Sequence, residues 1–589
     1  MKILGISAFY HDAAAALLVD GLPVAAVQEE RLSRCKNDPA FPLRAAEWCL
    51  DHAGLEPEQL DAVIFYERPA LRFDRVLMTL LRAFPHSWRI FPKAMKNMVG
   101  EKLWVRGIIS AQLGIPTRRV HFTDHHLSHA ATAFLTAPTE KAAILTADGV
   151  GEWATLTVGH GSKRTGGPAE INLLREVRFP HSLGLFYSAF TAWLGFPVNE
   201  GEYKVMGLAA YGTPRFADEV RRILQRTPDG AFALDLDYFD YHRTVDSAYS
   251  RRFVGLFGPP RDRFEPIDLG TAQGRHYADV AASAQAVLEE VMVDIAASLR
   301  KETGLADLCL GGGVALNGVA NARILREAGF ERLFVPSAPG DAGCALGAAL
   351  WADRILFNQP HRDCPDHPFW GPAVEPDDLA RLAAEDGLPF ERADEAELID
   401  KVADAIGRGA IVGWMEGAAE FGPRALGHRS ILADPGDAAM RDRINRDIKF
   451  RESFRPFAPV VPAEHAATYF DLSSGGARLG RLMSGVFPVR PEWRSSLSAV
   501  THVDGTARVQ ILEADMAPRL HALLGAYGRR RGIPILLNTS FNLAGDPIVT
   551  SAAEGYSTFR RAGIDLLVAD DVVVHRDRVG HEQAVEAIA

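Results

Sequence analysis

Short apolar runs broken by polar loops open the chain. Ile3 to Ser7 has the length of a strand, Tyr10-His11-Asp12 interrupts it, Ala14 to Val19 resumes it, and the turn Asp20-Gly21 leads into Val24 to Gln28. The same order returns later, with an apolar run from Ala143 to Ala147, a polar loop from Asp148 to Glu152, and a run from Ala154 to Gly159. A strand-loop-strand unit used twice predicts a two-lobed α/β domain with a nucleotide between its lobes. Small residues such as Gly149 and Gly151 let backbone N–H groups approach phosphates. Two unrelated hairpins would leave the same trace.

Helical periodicity follows. Tyr277 to Arg300 reads as an amphipathic helix. Next come an apolar run at Leu308, the glycines Gly311, Gly312 and Gly313, then Asn317 and a helical stretch from Val319 to Ala328. Strand, glycines, helix is the order that sets a phosphate or ribose on a helix N-terminus. The spacing is neither that of a P-loop nor that of a dinucleotide fingerprint, so the triplet alone is weak evidence. A strand from Leu333 to Pro336 and a loop from Ser337 to Gly343 lead into an Ala/Gly-rich helix, Cys344 to Ala352. Lys204 either reaches a phosphate or stays solvated. Residues 215–274 show no clear period and are expected to be irregular, a place for specificity or an interface. The proline-rich stretch 358–372 is expected to be a linker between a domain of residues 1–360 and one of residues 373–589. Beyond it, Leu398 to Arg408 reads as a helix, Ala410 to Met415 as a buried strand, and Ile535 to Leu537 as a strand ending in Asn538-Thr539-Ser540.

Candidate chemistry stands out against this pattern. In Asp124-His125-His126-Leu127-Ser128-His129, the residues His125 and His129 are four apart on an Ala-rich segment, so a helix puts both imidazoles on one face. Acidic strand ends stand at Asp148 and, within Pro339-Gly340-Asp341-Ala342-Gly343, at Asp341. Two histidines with one or two carboxylates suit a divalent transition metal with open positions. In the second half, Arg424, His428, Arg429, Lys449, Arg451 and Arg455 lie among Gly and Pro turns, and His502, Arg508 and Gln510 recur at strand-like spacing. Such a cluster points to a small anion held by guanidinium forks, the alternative being surface pairs with Glu416, Glu420, Asp434 or Asp447. Asn538 is either a ligand of that site or an ordinary turn residue.

Composition narrows the classes. A chain of 589 residues exceeds one hydrophobic core. With 47% hydrophobic and 24% charged residues it reads as a soluble globular protein, and no apolar run is long enough to span a membrane. A net charge of -11 argues against a general nucleic-acid binder. The cysteines Cys35, Cys49, Cys309, Cys344 and Cys364 form no CxxC pair, which suits free thiols in a reducing, cytoplasmic compartment.

Taken in order, the motifs resemble a known family. Phe9-Tyr10-His11-Asp12-Ala13, the Asp124 to Ala130 segment, Asp148-Gly149-Val150-Gly151-Glu152, Lys204 to Ala209, Gly311 to Asn317, Gly422-Pro423-Arg424-Ala425-Leu426-Gly427, Arg455-Pro456-Phe457-Ala458-Pro459 and Asn538 to Asn542 are similar to those of the NodU/CmcH-type O-carbamoyltransferases, nearly end to end. The resemblance implies an actin-like ATPase domain (ribonuclease H-like, the ASKHA type) followed by a YrdC-like α/β domain. It implies that carbamoyl phosphate and ATP, with Mg2+ accompanying the nucleotide, yield carbamoyl adenylate in the second domain. The carbamoyl group then passes to the hydroxyl of a small-molecule acceptor in the first, at an iron-type metal held by His125, His129, Asp148 and Asp341. His11 matches the residue that activates the hydroxyl. Gly149, Gly151, Lys204, Gly311, Gly312, Gly313 and Asn317 fall to the nucleotide, and Arg424, Lys449, Arg455, His502, Arg508 and Asn538 to carbamoyl phosphate and adenylate. Nucleic-acid and membrane partners are not expected, and oligomerisation is left open. Three rival readings are a threonylcarbamoyl-type tRNA-modifying enzyme, which the acidic charge opposes, a hydrogenase-maturation carbamoyl enzyme, whose paired CxxC motifs are absent, and a non-catalytic nucleotide-binding regulator, which leaves His11 and the metal histidines unexplained.

Overall fold

Two five-stranded sheets carry the first part of the chain, and their strand orders coincide. The computed structural model describes residues 1–576 except 86, 89, 99–102, 228, 229, 245 and 453. The first sheet contains β1 (Lys2–Ser7), β2 (Ala14–Val19), β3 (Leu22–Gln28), β4 (Ala62–Phe65) and β5 (Val120–Phe122), in the order β3-β2-β1-β4-β5. The second contains β6 (Lys141–Ala147), β7 (Ala154–Lys163) and β8 (Ala169–Arg178). After a separate hairpin of β9 (Leu224–Arg226) and β10 (Phe232–Leu234), β11 (Asp307–Gly311) and β12 (Arg332–Phe334) complete it, in the order β12-β11-β6-β7-β8. In both sheets the first three strands form an antiparallel meander, and two more add in parallel to the free side of the first. The repeated strand-loop-strand pattern is thus a duplicated sheet, the two-lobed topology of actin-like ATPases. Nearly every residue of β1, β2, β6 and β11 is buried, as strands covered on both faces require.

Two helices exchange between the sheets. His125–Leu135 follows β5 but packs on β6 and β11, and Asp341–Trp351 follows β12 but packs on β1 and β2. Where the two helices meet, a Cβ on Gly347 would lie 2.1 Å from the Ser128 carbonyl oxygen and 2.2 Å from Thr132 Oγ1, so a larger residue would push the helices apart. Lys163 locks the far end of the first helix: its buried Nζ donates to the carbonyls of Phe134, Leu135 and Ala137 at 3.0, 3.1 and 2.5 Å.

Several boundaries differ from the sequence pattern. The long helix runs from Ala272 to Thr303, capped by the Thr271 hydroxyl and by Gly304 in the left-handed region. The segment expected to be irregular holds the helices Ala217–Ile223 and Arg251–Phe257 as well as the β9–β10 hairpin, elements too short to show a period. Part of the expected linker is a strand, Phe369–Ala373, paired with Ala418–Glu420. The chain divides at Asp366–His367 into two compact units, Arg34–Lys36 grouping with the second and Ser473–Leu479 with the first.

An eight-stranded mixed sheet organises the second unit, in the order Phe390–Arg392, Val572–His575, Leu566–Ala569, Val412–Met415, Arg429–Ala433, Leu536–Ser540, Ala458–Pro462, Gln510–Leu512. The helices Glu395–Gly407 and Pro518–Arg531 bury Leu398, Val402, Leu520 and Leu524 against Trp414, Leu432 and Leu536 of this sheet. Asn538, Thr539 and Ser540 belong to their strand rather than following it, and His502 lies outside any strand.

Arg429 is fully buried and faces carbonyl groups. It donates to the carbonyls of Glu416, Gly417, His428, Thr550 and Pro372 at 2.8 to 3.0 Å. Arg429→Met keeps much of the volume but strands these acceptors, each of which costs about 1–3 kcal/mol when left unpaired. A loss of about 3 kcal/mol or more is expected in the urea transition of this unit, and an unchanged midpoint would remove the organising role assigned to this side chain.

Candidate functional site

Helix geometry brings the two histidines together as their spacing predicts. His125 and His129 occupy the first turns of their helix, with Nε2 atoms 3.1 Å apart. His125 Nε2 is 3.2 Å from Asp148 Oδ2 and 3.7 Å from Asp341 Oδ1; His129 Nε2 is 3.7 Å and 3.5 Å from the same atoms. All four residues are buried, and their ligand atoms lie within 4.8 Å of one another. His126 points elsewhere, with its Nδ1 2.6 Å from Thr146 Oγ1.

The donor set fits a cation. Both Asp341 oxygens are buried without a hydrogen-bond donor among the described residues, and two facing imidazole nitrogens can share only one proton. Burial pushes the Asp148 and Asp341 carboxyls up, yet the facing imidazoles hold both below the usual carboxylate range. Burial likewise lowers the imidazoles, and their partners outweigh it: Asp341 and Asp148 at His125, and contacts with Cys344, Asp148 and Asp341 at His129.

Neighbouring groups orient each ligand. Gly313 N–H donates to Asp148 Oδ1 at 2.7 Å, leaving Oδ2 for the imidazoles. Cys344 Sγ sits 3.2 Å from His129 Nδ1, the nitrogen that does not face the cluster. The Glu152 carboxylate accepts the His125 backbone N–H at 3.0 Å, so it caps the helix N-terminus in place of Asp124, whose side chain makes no cap bond. Glu152 and Cys344 lie within the motifs read from sequence, but nothing in their spacing assigned them these roles.

His11 stands close enough to this cluster for the charges of Asp341 and Asp148 to act on it. Its loop holds Phe9 and Asp12 at φ +70° and +53°, conformations that non-glycine residues adopt at a cost and that concentrate at functional sites. Bonds from Phe9 N–H to the Pro39 carbonyl and from Ala13 N–H to the Asp38 carbonyl pin the loop. Asp12 Oδ2 accepts from His11 Nδ1 at 3.0 Å, which leaves Nε2 as the basic nitrogen. Burial lowers this imidazole, but the Asp12 hydrogen bond and the charge of Asp341 carry it to about 9.

The glycines assigned to nucleotide pack closely in this unit. Gly312, at φ +91°, leaves no room for a Cβ beside the Ala147 carbonyl oxygen, 2.2 Å away; Gly311 sits against the His129 carbonyl and Gly151 against the His125 ring. Gly149 has the most room, a Cβ there lying 4.0 Å from Leu185 Cδ2. Asn317 caps the helix Gly318–Glu327 through Ala320 N–H and donates to Gln285 Oε1. Lys204 lies over the Phe196 ring at 5.3 Å.

The second unit gathers the other predicted residues. Lys449 is buried and donates to the carbonyls of Ser540 and Asn542 at 2.5 and 3.0 Å. Burial, with the charges of Arg451 and Arg455, holds its ammonium well below the usual range. Burial and the charges of Arg424, Arg451 and Arg455 do the same to Arg508, whose Nε has no partner. Asn538 Nδ2 donates to Gln510 Oε1 at 2.6 Å while its buried Oδ1 has no donor. His502 is pushed down to about 4 by burial and Arg508, outweighing Asp504, and its buried Nε2 is unpaired. The acids offered as surface partners are engaged elsewhere: Glu420 with backbone N–H groups, Glu416 with Trp414, Asp434 with Arg531, Asp447 with Arg446. Mutually repelling cations beside unpaired donors are an arrangement that suits an anion.

Comparison with known proteins assigns the family. The carbamoyltransferase N-terminus family matches residues 2–350 and the carbamoyltransferase C-terminus family matches residues 403–576. The chain belongs to the carbamoyltransferase family. The nodulation protein NolNO of Sinorhizobium fredii is 37% identical, over 96% of this chain and 79% of that protein. The 3'-hydroxymethylcephem-O-carbamoyltransferase of Amycolatopsis lactamdurans is 28% identical, over 77% and 80%. Among solved structures, the activator of 2-hydroxyisocaproyl-CoA dehydratase from Clostridium difficile matches 60% of this chain and 94% of its own, at 14% identity and a TM-score of 0.29. The fold assignment rests on the strand orders rather than on that likeness. This carbamoyltransferase is therefore a transferase enzyme, and no helix among its described residues is long and apolar enough to cross a membrane.

If His125, His129, Asp148 and Asp341 form one metal centre, His125→Ala combined with His129→Ala should abolish divalent-metal binding by the purified carbamoyltransferase. Elemental analysis after dialysis measures this, and full occupancy in the double variant would refute the site.

Proposed function

We propose that this carbamoyltransferase is an ATP-dependent O-carbamoyltransferase working through carbamoyl adenylate. The observation that carries the reading is that one chain holds two chemically different sites, a buried His2Asp2 cluster beside His11 and a nest of cations with unpaired donors. Activation of a carbamoyl group requires binding phosphates, and its transfer requires a base and a Lewis acid.

In the second unit, Arg424, Arg455 and Arg508 present fork donors to carbamoyl phosphate and the nucleotide, and a bound anion restores the charge of Lys449 that burial and its neighbours otherwise lower. Carbamoyl phosphate releases phosphate to water. The carbamate oxygen then attacks the α-phosphorus of ATP, and the bond to pyrophosphate breaks. In the first unit, the hydroxyl of a small-molecule acceptor attacks the carbamoyl carbon, the C–O bond to AMP breaks, and His11 Nε2 takes the hydroxyl proton. Asp12 orients the ring and stabilises the imidazolium that forms. A dication held by His125, His129, Asp148 and Asp341 would polarise a carbamoyl or phosphoryl oxygen and offset the two carboxylates that raise His11; the donor set admits Fe2+, our assignment, as well as manganese, zinc or cobalt. Natural-product or sugar hydroxyls are the acceptor class we assign.

Two outcomes test the division of labour. Arg455→Ala removes a charged hydrogen bond worth about 1.5–3 kcal/mol, so carbamoyl phosphate-dependent pyrophosphate release should weaken roughly ten- to hundredfold in apparent affinity. His11→Ala should keep its metal and release pyrophosphate, yet transfer carbamoyl groups on the order of a hundredfold more slowly. An Arg455→Ala enzyme with native adenylate formation, or a His11→Ala enzyme with native transfer, overturns the corresponding assignment.

The pH dependence has a definite sign. A general base works when neutral, so transfer should rise with pH through the His11 pKa. Asp12 raises that pKa, so Asp12→Asn, tolerated in the left-handed conformation, should move the rising limb to lower pH. A limb that stays in place would separate the pH profile from His11.

A further inference from the structure

Three arginines at the start of the helix Pro69–Arg82 meet different fates. Arg68 Nε pairs with Asp124 Oδ1 at 2.8 Å. Arg72 Nη1 donates to Glu67 Oε1 at 2.5 Å, both residues being buried. Arg75, one turn further on, makes no hydrogen bond or ion pair among the described residues, and its Nε is buried without a partner. The Phe179 ring covers its guanidinium face at 5.4 Å, so the donor-bearing edge is what remains for a ligand.

The nearby acids do not supply the missing charge. Glu67 serves Arg72, and Glu152 accepts the backbone N–H groups of Arg68 and His125. Burial and the charge of Arg72 lower Arg75 only to about 10, so it stays a cation at neutral pH. A partly buried guanidinium that can neither discharge nor find a carboxylate is costly unless an anion joins it.

Its position connects it with the transfer site. Tyr10 lies beneath Arg72 at 5.7 Å, its ring is 4.5 Å from that of His11, and it is 38% exposed. The charges of Asp341 and Asp148 reach Tyr10, and the charge of Tyr10 reaches Arg75. From the metal ligands, the path through His11 and Tyr10 ends at this arginine.

We propose that Arg75 is an anion-binding residue of the transfer site, holding a carboxylate or phosphoryl oxygen of the substrate bound beside His11 through the edge of its guanidinium. The inference rests on the carbamoyl-transfer reading. The anion belongs either to the acceptor, which then carries a negative group near its reacting hydroxyl, or to the phosphoryl group of the adenylate.

Calorimetric titration of the full-length, Mn2+-loaded protein with matched neutral and anionic probes tests this: glycerol against glycerol 3-phosphate, glucose against glucuronate, adenosine against AMP. In at least one pair the anionic member should bind at least about tenfold more tightly, as a charge-assisted fork provides. Arg75→Gln should erase that preference without weakening the neutral member, and Arg75→Lys should keep part of it. A preference in the alcohol pairs assigns the anion to the acceptor. One confined to AMP, and persisting in an Arg455→Ala background that weakens the other phosphate site, assigns it to the adenylate. No anionic preference in the native protein, or a preference unchanged in Arg75→Gln, overturns the proposal; should Arg75→Gln not fold, an affinity in Arg75→Lys equal to native in every pair does the same. Pyrophosphate release by the native protein, measured in parallel, fails only if the carbamoyl-adenylate reading itself is wrong.

Discussion

Two carboxylates buried in one small volume repel each other, and the architecture of the first unit holds Asp148 and Asp341 there beside two imidazoles. Neither sheet could do this alone. Asp148 ends a strand of one sheet, while the helix of Asp341 leaves that sheet and packs on the other. The histidine helix makes the opposite exchange. Each helix therefore ties the two sheets together at the point where the ligands converge, and Gly347 lets the helices approach closely enough to keep them there. Buried charge of this kind is tolerable only with compensation, which the imidazoles supply in part and a bound cation would complete.

Groups around the cluster serve its geometry more than its charge. Glu152 caps the histidine helix, Gly313 turns one Asp148 oxygen aside, and Cys344 faces the remote nitrogen of His129. The strained Phe9 and Asp12 backbones carry His11, and Asp12 selects which ring nitrogen is basic. Rigid elements thus set the His125, His129, Asp148 and Asp341 cluster, whereas a pinned loop sets His11, the division that precise positioning on a strained turn demands.

The second unit solves the opposite electrostatic problem. Its cations lower one another, Lys449 and Arg508 most of all; Glu420 and Asp434 are committed to other partners, and Glu452 lies 3.7 Å from Arg455. Arg429 stands apart from this set although it adjoins it in sequence: turned inward onto backbone carbonyls, it braces the loops instead of meeting a ligand. Like charges gathered this closely favour the approach of a small anion.

The sequence by itself determined the local facts. Alternating apolar runs marked many strands, the four-residue spacing put His125 and His129 on one face, and the Gly-flanked Asp148 marked a strand end, because these signals depend on backbone periodicity and short-range sterics; Asp341, also read as a strand end, instead opens a helix. Strands β1, β2, β3, β6, β7 and β12 were legible to within a few residues, whereas β4 and β5 and most strands of the second unit went unread, as did β8, whose polar, exposed face carries little apolar signal. Tertiary structure alone decided which arginines are paired. Arg68, Arg72 and Arg75 look equivalent in the chain, yet only Arg75 lacks a carboxylate, since the partners Asp124 and Glu67 are placed by the strands beside them. It also decided that the glycines of the triplet and Gly151 pack against the metal-bearing elements, and that Glu152 caps a helix. Long-range pairing depends on which groups the fold brings within a few ångströms, and no local period encodes that.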